Sequence, residues 1–102
     1  MATITNPGWR GLVVVIDVTA ITATPSVVFT IQGYDPLSGK YYTILASAAI
    51  VGTGTVVLRV FPGAAAVANL VVNDVLPSHW RVIAVHGDAD SITYTVSAHA
   101  IY

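Results

Sequence analysis

GLVVVIDVT, residues Gly11 to Thr19, decides the fold class. Six of its nine residues are aliphatic, nearly all β-branched, and their alternation has a period of two. Leu12, Val14, Ile16 and Val18 fall on one face; Val13, Val15, Asp17 and Thr19 fall on the other. An apolar middle on both sides predicts a strand covered on both faces over part of its length.

The same pattern recurs downstream. Ala20 to Pro25 (AITATP) reads as a connection closed by proline. Ser26 to Gly33 (SVVFTIQG) alternates, with Val27, Phe29 and Ile31 against Val28, Thr30 and Gln32. Tyr34 to Lys40 (YDPLSGK) reads as a turn. Pro36 presets φ, Asp35 can accept backbone N–H groups, and Gly39 permits positive φ. Extended structure resumes from Tyr41 to Ala46, so Ser26 to Ala46 is expected to form a hairpin.

Gly52 to Gly54 separates this unit from Thr55 to Phe61 (TVVLRVF), which Pro62-Gly63 closes. Ala64 to Val72 (AAAVANLVV) mixes helix-tolerant alanines with strand-forming Leu70, Val71 and Val72, and is read as an irregular crossover. Asn73-Asp74 and Pro77 bound the next loop. Ser78 to His86 and Ser91 to Ile101 are read as a closing hairpin joined by Gly87-Asp88-Ala89-Asp90. No stretch has helical amphipathicity. The expectation is an all-β fold, an antiparallel β-sandwich of jelly-roll or Ig-like type with six to eight strands. Residues 1–10 are read as an N-terminal arm and residues 11–102 as a single domain.

Charge is scarce. Four basic and five acidic residues make up 9% of the chain, against 55% hydrophobic residues; an ordinary soluble domain is about 25% charged. Scattered Arg10, Lys40, Arg59 and Arg81 make no clustered basic face, which argues against nucleic acid as a partner. The uncharged stretch from Tyr41 to Leu58 is interrupted by glycine, serine and threonine, so no membrane span is expected. Met1 to Gly8 lacks the basic and apolar regions of a secretory signal. With no cysteine, disulfides, thiolate metal sites and a cysteine nucleophile are excluded.

Catalytic and metal chemistry find little support. His79, His86 and His99 lack ligand spacing and are read as satisfied or surface residues, with no metal and no cofactor expected. Asp88 and Asp90 flank one alanine in a loop but lack the further acids of a calcium loop, so capping of backbone N–H groups is the simpler role. No nucleophile elbow, P-loop or dinucleotide fingerprint occurs, and the five aspartates lie mostly in loops. Trp80 and Tyr94 read as core. Tyr34, Tyr41 and Tyr42 surround the turn and form a candidate aromatic tip for carbohydrate.

Outward positions are unusually apolar. Val13, Val15, Val28, Val57, Ile83 and Val85 are relieved by Thr30, Thr93, Thr95 and a few charges. Soluble surfaces commonly carry about 25–35% charged residues. An apolar exterior with unguarded edge strands marks an interaction surface. Trp9, Arg10, Tyr34 and Tyr41 complete the candidate interface, with the arm Met1 to Arg10 reaching across to a neighbour.

Three blocks carry a resemblance over most of the chain from Gly11 onward. These are the TIQG…D…GKYYTI hairpin, the T-G-T…L-R-V-x-P-G strand and the W-R-V…D-S-I-T-Y-T-V C-terminal hairpin. Together they are similar to small β-sandwich or jelly-roll virion proteins of tailed bacteriophages, of the head decoration (cement) type. The resemblance implies a non-enzymatic role on the capsid surface of a virion assembled in the host cytoplasm. The implied partners are the major capsid protein and further copies of the chain, as a dimer or trimer. Alternatives are a neck or tail subunit, and a carbohydrate- or host-surface-binding module.

Overall fold

In the computed structural model, residues 4–5, 8, 10–22, 26–87 and 92–101 are described. Eight strands are present among them: β1 (Ile4–Thr5), β2 (Gly11–Ile21), β3 (Val27–Asp35), β4 (Lys40–Ala46), β5 (Gly54–Val60), β6 (Val71–Val72), β7 (His79–His86) and β8 (Ile92–Ile101). They form two four-stranded sheets, ordered β1-β7-β3-β4 and β6-β5-β2-β8. Every pairing is antiparallel except the short parallel contact of β5 with β6. The protein is an all-β sandwich.

The alternation of β2 sets the core. Leu12, Val14, Ile16 and Val18 are all 2% exposed or less, and they meet Phe29, Ile31, Trp80 and Val82 from the facing sheet. Leu58 and Val60 on β5 extend the same layer. Tyr94 of β8 joins it by setting its ring edge-on to Phe29, with centroids 4.8 Å apart at 84°. This geometry suits the ring quadrupoles. Burial of each large aliphatic here contributes about 1.5–3 kcal/mol. Trp80 is therefore a core residue, as its inward position predicts, while Tyr94 is half-buried and packs against the core.

The β3–β4 hairpin forms, with strands reaching further into the turn than the sequence reading placed them. β3 continues to Asp35 and β4 starts at Lys40. Asp35 caps the turn, its carboxylate accepting the Leu37 N–H at 3.1 Å and its carbonyl the Gly39 N–H at 2.8 Å. Gly39 takes φ 71°. Leu37 stands at the tip, 96% exposed.

Three local readings are corrected. The connection read at Ala20 to Pro25 starts later, because β2 runs on to Ile21. An irregularity between Val18 and Ala20 keeps it paired with β8. Ile4–Thr5, within the segment read as an N-terminal arm outside the domain, pair with Trp80 and His79 of β7. The largest correction concerns the last two strands. They are not a hairpin: β7 pairs with β3 and β1 in one sheet, and β8 with β2 in the other. The first sheet ends after His86, where the Gly87 N–H bonds the Ser26 carbonyl at 2.8 Å, and the next described residue, Ile92, is in the second sheet. Turn residues mark where a strand stops, whereas the neighbour it then joins is set by burial against distant strands.

The Ala64 to Val72 crossover is irregular, as expected. Asn69 adopts φ 62°, and its Nδ2 donates to the Ala46 carbonyl at 3.1 Å, tying the crossover to the end of β4.

Candidate assembly surfaces

Cross-strand register arranges the exterior in rows. On the outer face of the β6-β5-β2-β8 sheet the rows are Arg59–Val13–His99, Val57–Val15–Ser97 and Thr55–Asp17–Thr95. Val13, Val15 and Val57 are half-buried and form a small aliphatic island. Its rim is polar, and Thr55 donates its hydroxyl to the Asp17 carboxylate at 3.3 Å. The apolar area on this face is narrower than the residue list implied, because Arg59, His99, Asp17 and the threonines share it.

The outer face of the β1-β7-β3-β4 sheet is graded from end to end. Val28 lies beside Val85, and Thr30 beside Ile83 and Ala46. Val85 is 53% exposed while Val28 and Ile83 are half-buried, giving an uncharged aliphatic end. Toward the hairpin the face becomes aromatic and cationic. Arg81 donates from Nε to the Gln32 side-chain carbonyl at 2.8 Å, and its guanidinium lies 3.5 Å over the Tyr41 ring. Tyr41 packs against Tyr34 at 4.8 Å, and Tyr34 against His79 at 6.3 Å. Contacts of this cation–π kind contribute about 0.5–1 kcal/mol at exposed sites.

Of the three tyrosines grouped around the turn, the structure brings together only Tyr34 and Tyr41. Tyr42 points to the opposite side and covers Gly33, where a Cβ would overlap its ring. The Arg81–Gln32 pair escaped sequence reasoning, since the two residues are distant in the chain and meet only through the β3–β7 register.

The remaining candidates are dispersed. Arg10 is exposed, with its N–H bonded to the Ile101 carbonyl at 2.8 Å and its carbonyl accepting the Leu76 N–H at 3.0 Å. Trp9, Asp88 and Asp90 lie outside the described residues. His79 is half-buried with Nδ1 3.1 Å from the Ser78 hydroxyl; His86 and His99 are exposed and lie in different sheets, not in one hairpin. Among the described residues no three acidic or imidazole side chains converge. An open pocket of about 440 Å³ sits where the 48–56 segment faces residues 68–70, lined by small residues such as Ala48, Gly52 and Ala68 together with Ile50, Val56 and Leu70. No titratable side chain lines it.

The four sheet edges differ sharply. β1 and β6 have two residues each. β4 starts with Lys40 and is distorted opposite Ile31/Gln32, where Ile44 is the extra residue. β8 is a ten-residue edge, ITYTVSAHAI, with no charge, proline or glycine. No family model matches the chain, and no curated protein or solved structure matches it either.

Proposed function

We propose that the chain is a structural subunit that works by packing against other chains, as a head decoration protein on a tailed-bacteriophage capsid. The observation that carries the reading is the pairing of aliphatic outer faces with scarce charge. Val28, Ile83 and Val85 gather at one end of one sheet, and Val13, Val15 and Val57 at the centre of the other. Surfaces of this kind gain by being covered. A decoration protein repeats one such contact at many symmetric positions, so a modest individual interface suffices. The sequence resemblance to small virion proteins supplies the capsid as the partner.

Co-sedimentation with undecorated capsid shells of a tailed bacteriophage tests the reading. Saturable binding at a fixed ratio per shell is expected, weakened by Val85→Lys. A protein that leaves bare shells unbound and associates instead with purified neck or tail assemblies would move it to those structures.

A second reading, carbohydrate or host-surface binding, draws on the Tyr34–Tyr41–Arg81 cluster. Flat rings beside a guanidinium suit a sugar face carrying a carboxylate. Glycan titration followed by NMR shifts at Tyr34 and Tyr41 separates it from the first.

A further inference from the structure

The edge-facing groups of β8 can be assigned from one bond. The Ile101 carbonyl accepts a hydrogen bond from Arg10, which leads into β2, so it points to the β2 side. In an antiparallel strand the backbone polar groups alternate sides residue by residue. Thr93, Thr95, Ser97 and His99 therefore bond β2. The alternate residues Ile92, Tyr94, Val96, Ala98 and Ala100 turn their N–H and C=O groups to the open edge. Ala98 is exposed even though its side chain is on the inner face.

We propose that this edge pairs with the β8 edge of a second copy, about a two-fold axis at Val96, joining two β6-β5-β2-β8 sheets into one. The inference rests on the assembly reading above and names the surface that performs it. An antiparallel match centred on Val96 sets Ile92 against Ala100 and Tyr94 against Ala98, with Val96 facing its own copy. Every edge-facing N–H and C=O then finds a partner, and large side chains oppose small ones on the inner face. On the outer face Thr95 meets Ser97 and Thr93 meets His99, so the symmetry brings no like-charged carboxylates or ammonium groups together. β4 is guarded by a bulge and a lysine, which are usual devices against sheet pairing. β8 is the longest edge strand described and has neither, and β-strand addition uses such an edge.

Light scattering of the intact chain, with two variants, tests the pairing. The intact chain is expected at twice its 10.6 kDa mass. Ala98→Pro removes an edge-facing N–H and puts a ring in the partner's path at an exposed position, so the mass should fall to that of one chain with the circular dichroism of the sandwich kept. Val96→Cys, in a chain with no other cysteine, should form a disulfide-linked dimer under mild oxidation, since directly opposed residues lie within reach of one. Ser38→Cys at the hairpin tip should stay unlinked. A dimer that survives Ala98→Pro while Val96→Cys fails to cross-link would overturn β8 pairing and leave assembly through another face. An intact chain of single mass at all concentrations overturns the pairing too, and shell binding then decides the assembly reading independently. Should Ala98→Pro fail to fold, the Val96→Cys result alone decides.

Discussion

Ser47 and Phe29 are held together by two hydrogen bonds of different kinds. The Ser47 N–H donates to the Phe29 carbonyl at 2.8 Å, and the Phe29 N–H donates to the Ser47 side-chain hydroxyl at 3.0 Å. That hydroxyl in turn donates to the Ala48 carbonyl at 2.9 Å. The side chain thus replaces a ladder carbonyl where the chain swings out at Ala48 and Ala49. Pairing resumes when Ile50 exchanges bonds with Val27 at 2.8 and 3.1 Å. Ser47→Ala should cost about 1–3 kcal/mol, because it strands a buried backbone donor. Urea denaturation would measure it, and an unchanged midpoint would show that the Phe29 N–H finds another acceptor.

Trp80 is 1% exposed, and its indole Nε1 has no acceptor among the described residues. An orphaned buried donor costs about 1–3 kcal/mol, which offsets part of the packing the ring supplies. Trp80→Phe removes the orphaned donor along with part of the ring, so its cavity cost is partly offset and it should lose clearly less than the alanine variant. Trp80→Ala should lose about 3–5 kcal/mol by opening a cavity. Equal losses in the two variants would mean that the indole N–H is satisfied in solution.

Gly33 lies beneath the Tyr42 ring, which is 47% exposed and free to swing outward. Gly33→Ala should destabilise the wild-type background and do so less in a Tyr42→Ala background. A coupling of about 0.5–3 kcal/mol is expected in the double-mutant cycle. Additive losses would place the constraint in the Gly33 backbone and not in the ring.

Arg81 holds Tyr41 and Gln32 through a planar guanidinium that lysine cannot imitate. Arg81→Lys, despite keeping the charge, should lose about 0.5–1 kcal/mol of stability. Tyr41→Leu should reduce the effect of that substitution. The comparison separates ring stacking from charge, and full stability in Arg81→Lys would remove stacking as a contributor.

The faces of the strands were legible in the sequence, and the partners of the strands, outside the β3–β4 hairpin, were not. Alternation in Gly11–Thr19 and Ser26–Gly33 names the core side chains because the period of two is local. The β3–β4 hairpin was legible because Asp35, Pro36 and Gly39 act within one turn. Nothing local distinguishes a β7–β8 hairpin from a crossing between layers, because that choice depends on whether β8 finds β2 or β7. The Arg81–Tyr41 stack, the Ser47 replacement bond and the covering of Gly33 by Tyr42 all depend on register. A one-residue slip would erase each of them.

The placing of β2 between β5 and β8 has a consequence for biogenesis. The most aliphatic strand is translated early, yet one of its flanking neighbours is made near the end of the sequence. At about 5–20 residues per second, the nascent strand waits several seconds with half its ladder open. Such long-range closure belongs to the slow class of folding, roughly milliseconds to seconds. Escort by a holding chaperone on the ribosome, or a loss of yield at high expression rates, follows from that order of synthesis.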